Sequence, residues 1–131
     1  KSIFPKSLQE KMLKAEKDTG ANTEKTIFLA LGYNGQQEIV DAAKKVAEAA
    51  KNGYPVEELD KESFKKFLYG DVPFPDLVIR TSGTKGLSGF LTYQTAYSEL
   101  CFIDKCWPAI EKKDIENAIE DFSTRKRRFG K

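Results

Sequence analysis

Three short apolar runs stand out from a polar background: Ile27 to Leu31, Leu77 to Ile79, and Leu100 to Ile103. Continuous runs of this length, rich in branched side chains, predict strands buried on both faces, as in a parallel sheet. The predicted strands cover 26–31, 76–80 and 99–103. Elsewhere the apolar positions recur at helical spacing. Leu8, Met12, Leu13 and Ala15 predict an amphipathic helix over 5–18, ended by Asp18, Thr19 and Gly20. Ile39, Val40, Ala43, Val46, Ala47 and Ala50 predict a second over about 35–51. Asn34 is its expected N-cap, Gln37 suits a capping box, and Asn52 and Gly53 end it. Asp60 caps a short third helix whose apolar side is Phe64, Phe67 and Leu68. A helix near 88–97 follows the second strand. The last, opened by Asp114, turns Ile115, Ala118, Ile119 and Phe122 inward.

Alternation of strands and helices predicts an α/β chain, a parallel sheet flanked by helices. Three strands are few for such a sheet. The reading that fits is a chain forming part of a larger domain. Its 131 residues suffice for one domain with a real core and are too few for two.

Composition removes several kinds of chemistry. There is no His, so His-based acid/base catalysis, His-containing triads and His-ligated metals are excluded. Cys101 and Cys106 lack C-x-x-C spacing, which argues against zinc and against a structural disulfide. Any metal must then be a hard cation held by oxygens. The net charge of +2 gives no global argument for nucleic acid. No apolar run approaches the roughly 18 residues of a membrane span.

The chemistry concentrates after the second strand. Arg80 ends that strand, and Thr81 to Gly86 form a loop rich in glycine and hydroxyls. Strand, glycine loop and helix start is the arrangement by which open α/β sheets hold ligands beyond the carboxyl ends of their strands. Backbone N–H groups at a helix start favour an anion, and Arg80 and Lys85 add positive charge. The expected ligand is a phosphate or diphosphate. Arg80 is weighted toward anion binding over a plain surface charge, whereas Lys85 reads first as a solvated loop residue. Ser88 is expected as an N-cap that can also touch a ligand. Glu99 is read either as a paired structural charge or as a ligand of magnesium, which takes one or two carboxylates beside phosphate oxygens. Asn34 and Gly35 read as turn residues before ligand contacts. The basic end, Arg125 to Arg128, either completes a helix C-terminus or reaches a neighbouring subunit's anion.

These residues resemble the C-terminal half of the cis-prenyltransferases, the undecaprenyl and dehydrodolichyl diphosphate synthases. From Arg80 the chain reads R-T-S-G-x-x-x-L-S-x-F-L, similar to that family's R-T-(G/S)-G-x-x-R-L-S-x-F-L. Gln94 to Phe102 resembles Q-x-A-Y-x-E-L-x-F, Trp107 and Pro108 its W-P, and Arg127 to Gly130 its R-R-F-G. Gly32 to Val40 resembles N-Y-G-G-R-x-(D/E)-I-V, and the likeness runs over essentially all 131 residues.

The resemblance implies a cis-prenyltransferase-like fold and condensation of isopentenyl diphosphate with an allylic diphosphate to form a cis double bond. It implies that Arg80, Gly86, Leu87 and Ser88 bind isopentenyl diphosphate and that Glu99 ligates Mg2+. It also implies that Arg128 and Gly130 reach across a homodimer to the partner's diphosphate. Catalytic residues are not expected here, because the family's Asp-Gly-Asn motif has no counterpart in these residues. The chain reads as inactive by itself, as the C-terminal part of a single domain. Gly86 stands where the family has a second arginine, Tyr93 replaces a Trp, and Gly32, Asn34 and Gln36 depart from N-Y-G-G-R. The alternative reading is a non-catalytic partner subunit of a heteromeric enzyme. A cytoplasmic location is expected, with peripheral membrane contact left open by the lipid products.

Overall fold

The computed structural model describes residues 3–126, which fall into two compact units dividing after Ala30. In the first unit, helix α1 spans Lys6–Thr19 and buries no residue. It starts without a side-chain cap, although the Gln9 amide donates to the Phe4 carbonyl at 2.7 Å just outside it. The apolar run that follows forms no strand. This corrects the three-strand expectation. A continuous apolar run becomes a buried strand only when neighbouring strands and a helix layer cover it. Here Ile27 and Leu29 remain 85% and 78% exposed. Each forgoes the roughly 1.5–3 kcal/mol that full burial would contribute.

In the second unit, α2 spans Gly35–Lys51, as its periodicity predicts. The Asn34 side chain accepts from the Gln37 N–H at 3.0 Å. Gln37 does not reach back to complete a capping box; its amide donates to Asp41 instead, at 2.9 Å. The line of α2 that is most enclosed passes through Gly35, Glu38 and Ala42. That is one side of the expected stripe, with a carboxylate in it.

A 3₁₀ turn at Val56–Glu58 leads to α3, Lys61–Lys65. Asp60 caps α3 by accepting from the Glu62 and Ser63 N–H groups, and Ser63 closes a capping box. Two strands follow, β1 at Leu77–Arg80 and β2 at Glu99–Phe102. They pair in parallel, with Leu77 opposite Glu99, Val78 opposite Leu100, Ile79 opposite Cys101 and Arg80 opposite Phe102. After a 3₁₀ turn at Trp107–Ala109, α4 spans Lys112–Thr124. It buries Ala118, leaves Ile119 exposed, and receives at its start an ion pair from Lys105 to Asp114, 2.8 Å long.

Candidate diphosphate site

Arg80 is the last residue of β1, and the loop after it is stitched to the chain leaving β2. The Ile103 N–H donates to the Arg80 carbonyl at 2.8 Å. The Ser82 N–H donates to Lys105 at 2.7 Å and the Gly83 N–H to Ile103 at 3.1 Å. Ser82 and Gly83 both adopt left-handed backbone conformations, which turn the loop back over the end of the sheet. The Asp104 carboxylate lies against Gly83.

The loop brings the Arg80 guanidinium onto Ser88. Arg80 Nη1 donates to Ser88 Oγ at 2.9 Å and to the Gly86 carbonyl. One nitrogen of the fork makes both contacts, so the geometry gathers half-buried Arg80 and Leu87 with exposed Gly86 and Ser88 into one bend.

No helix starts at Ser88. Residues 88–97 form a succession of turns, and Ser88, Gly89 and Leu91 have positive φ, at 48°, 74° and 45°. Right-handed helix is incompatible with those angles, and each non-glycine residue held there costs about 1–2 kcal/mol. The expected N-cap role of Ser88 and the helix-dipole contribution to anion binding are therefore overturned. What supports the bend is packing from α2: the Gly35 N–H donates to the Gly89 carbonyl at 2.9 Å, and Phe90 meets the Tyr33 ring edge-on at 5.8 Å.

Glu99 lies elsewhere. In a parallel pair, residues in register point to the same face and alternate along each strand. Glu99 shares its face with Leu77, so Arg80, three residues further along β1, points to the other. The Glu99 carboxylate accepts from Arg125 Nη1 at 2.9 Å, and Arg125 also holds Asp121 and the Leu100 carbonyl. Glu99 and Asp121 keep the Arg125 guanidinium above its ordinary pKa. Of the two readings that the sequence left for Glu99, the paired structural charge is the one seen. Within one chain, Glu99 and the Arg80 bend do not converge on a shared magnesium. No group of three or more His, Cys, Asp or Glu placed to hold a metal ion occurs among the described residues. Arg128 and Gly130 lie outside the described residues.

Two residues that sequence reasoning passed over prove central to this arrangement. Arg125 was grouped with the basic end, but it is anchored to β2. Glu38, at 2% exposure, is the largest fully buried side chain of the described residues. An acidic residue four positions before Ala42, on the apolar line of α2, was the available signal.

The family model of the undecaprenyl diphosphate synthases matches residues 1–130. The chain belongs to that prenyltransferase family. An isoprenyl transferase of Fusobacterium nucleatum is 43% identical over 99% of this chain and 54% of its own length. A tritrans,polycis-undecaprenyl-diphosphate synthase (geranylgeranyl-diphosphate specific) of Methanocaldococcus jannaschii is 44% identical over 99% of this chain and 48% of its own. This chain thus spans about half the length of these prenyltransferase relatives. Among solved structures, lavandulyl diphosphate synthase from Lavandula x intermedia, in complex with dimethylallyl diphosphate, superposes with a TM-score of 0.93 at 32% identity. That match covers 99% of this chain and 57% of the other. A probable undecaprenyl diphosphate synthase from Campylobacter jejuni gives a TM-score of 0.82 at 32% identity, covering 99% of this chain and 59% of its own. The α/β fold with a parallel sheet is therefore that of the family.

Proposed function

We propose that this chain is the isopentenyl-diphosphate-binding part of a cis-prenyltransferase that makes a Z-polyprenyl diphosphate. The observation that carries this is the junction of Arg80 Nη1 with Ser88 Oγ at the carboxyl end of β1. Both contacts of the guanidinium use one nitrogen, and the rest of the fork suits two phosphate oxygens. Family membership and the names of the relatives support the reaction class.

In the reaction, the allylic C–O bond breaks and pyrophosphate departs with the electron pair. The isopentenyl double bond attacks the allylic carbon, and a proton is lost as the new cis double bond forms. The part assigned to this chain is to hold the isopentenyl diphosphate by its charge, so that its alkene is presented rather than tumbling. The Ser88 hydroxyl and the backbone of Gly86 and Leu87 orient the terminal phosphate against Arg80.

Magnesium fits this chain poorly. Glu99, the donor expected from the sequence, is paired to Arg125 and faces away from Arg80, and no group of three ligating residues suited to a metal occurs among the described residues. No step is assigned to the ion within one chain; Glu99 would serve a diphosphate-bound magnesium only at a neighbouring subunit's site. Arg128 and Gly130 are assigned the matching role of reaching a partner's diphosphate in a homodimer. No helix of the described residues is long and apolar enough to cross a membrane. The location we propose is cytoplasmic, with the lipid products met at a peripheral surface.

The test is prenyl transfer by the full-length protein from radiolabelled isopentenyl diphosphate with magnesium. Absence of product with every allylic primer from dimethylallyl to geranylgeranyl diphosphate would reject the reading. A second reading, a non-catalytic subunit of a heteromeric enzyme, is favoured by Gly86, which occupies the position of the family's second arginine. An Asp-Gly-Asn motif in the same polypeptide, with activity by that polypeptide alone, decides against it.

A further inference from the structure

Glu38 is buried without a cation partner among the hydrogen bonds it accepts. Tyr33 Oη donates to it at 2.5 Å, the Tyr69 N–H at 2.9 Å and Gln94 Nε2 at 3.1 Å. The three donors come from three separate stretches: the turn before α2, the chain after α3, and the run of turns that carries Ser88. Burying a carboxylate in this way is expensive unless its oxygens are hydrogen-bonded, and here Oε2 accepts two bonds and Oε1 one. Burial and the hydrogen bond to Glu38 in turn push the Tyr33 hydroxyl well above its ordinary pKa. Gln94 is itself 3% exposed, and its Oε1 finds no partner among the described residues. Half of that amide is thus buried unsatisfied while the other half reaches Glu38. The Q-x-A-Y-x-E-L stretch has one end in this contact, a position that neither the anion site nor the sheet explains.

We infer that Glu38 is a positioning residue for the diphosphate site, acting through Gln94 and the α2 N-terminus to hold the turns that present Ser88 Oγ to Arg80. This rests on the function proposed above. The route is short and continuous. Glu38 fixes Gln94 at the far end of the turns, and Gly35, one helical turn before Glu38, fixes Gly89 at the near end. Tyr33, the first donor to Glu38, also packs edge-on against Phe90 between them. Ser88 and Leu91 have backbone angles that a free peptide would relax from, so the bend persists only while its surroundings hold it. An apolar residue at 38 would fill the same space but could not tie three polar stretches to one point.

The experiment uses the full-length protein with Gln94→Leu and Glu38→Leu. Gln94→Leu cuts the tether and removes the unsatisfied Oε1, but it also takes one of three donors from buried Glu38, so it is expected to fold with a modestly lower Tm and is compared at a temperature where it is fully folded. The Michaelis constant for isopentenyl diphosphate should rise on the order of tenfold, since small misplacements of a binding group are costly. That for the allylic diphosphate should be unchanged. Amide hydrogen exchange across 86–92 should quicken in the same variant. Weaker binding of inorganic pyrophosphate, measured by calorimetry, should accompany both.

A folded Gln94→Leu with the parent's constant for isopentenyl diphosphate and the parent's exchange over 86–92 overturns the inference. So does a uniform fall in activity toward both substrates that tracks Tm, which is what a merely structural residue would give. Glu38→Leu should show the same selective loss in larger measure. If it does not fold, Gln94→Leu decides alone. Failure of the parent to transfer prenyl groups rejects the proposed function. The pyrophosphate and exchange measurements then still decide whether the Gln94 tether governs an anion site.

Discussion

Arg80 and Glu99 leave paired parallel strands toward opposite faces of the sheet. Glu99 is in register with Leu77 and Arg80 with Phe102, which also separates the two along the strands by about 10 Å at the usual rise per residue. Each has its own partner, Ser88 for one and Arg125 for the other. Two consequences follow for the full-length enzyme. Arg80→Ala should raise the Michaelis constant for isopentenyl diphosphate by about 10- to 100-fold, the value of one hydrogen bond to a charged group. Arg80→Ala and Glu99→Gln should add to within about 0.5 kcal/mol in kcat/KM if they act in separate places. A larger coupling would mean that one subunit's Glu99 works in the other's diphosphate site, and would support the trans arrangement of the metal.

Gly86 decides whether the family's second arginine could simply be restored. Its φ is 136°, a region that side-chain-bearing residues rarely adopt, and its carbonyl is held by Arg80. Open space surrounds the position a Cβ would take, so the obstacle is backbone rather than packing. Gly86→Arg should therefore lower stability by about 1–3 kcal/mol, with a matching fall in Tm. A variant as stable as the parent would mean that the loop takes another conformation once an arginine is present.

The start of α4 carries a pH signature. The Lys105 ammonium, and after it the Glu111 N–H, hold the Asp114 carboxyl below the ordinary carboxylate pKa of 3.8. A depressed folded-state pKa gives stability that is fully present above the unfolded value and lost as pH falls through the folded one. Asp114→Asn should therefore lower Tm at pH 7. The difference from the parent should persist down to about pH 4 and close below it. A difference that stays constant from pH 7 to pH 3 would show that the carboxylate charge contributes nothing. Lys105 is shifted upward by the same contact, so its contribution is lost only as pH rises above its ordinary 10.5.

Legibility in the sequence followed locality. The 35–51 helix, the Asp60 cap and the strands at 77–80 and 99–102 depend on periodicity and caps within a few residues, and each was readable. The run at 26–31 was not, because apolar content speaks of burial but not of which neighbour does the burying. The helix expected from Ser88 failed for another reason. A glycine loop after a strand suggested a helix start, yet docking onto Gly35 and Phe90's contact with Tyr33 favour left-handed turns. The pairing of Arg80 with Ser88 was readable because they flank one loop. The face of the sheet occupied by Glu99 was not, because it depends on strand register, and neither was the Arg125 contact, 26 residues away in sequence.

Gly35 gives the most direct test of how the turns are held. At the first position of a helix, alanine should be favoured over glycine by about 0.5–1 kcal/mol on conformational entropy alone. A Cβ here would overlap the Gly89 carbonyl oxygen and the Thr92 side chain, and would crowd the Thr92 N–H. Two of those three obstacles are backbone, so the neighbours cannot step aside by a rotamer change. Overpacking of that kind costs about 1–3 kcal/mol, which outweighs the helical gain. Gly35→Ala should therefore destabilise the full-length protein, seen as a lower urea midpoint with an unchanged slope. Its surviving folded fraction should bind inorganic pyrophosphate more weakly, because the displaced segment carries Ser88. An alanine variant that is more stable than the parent would show that the α2 start does not pack on Gly89 as described.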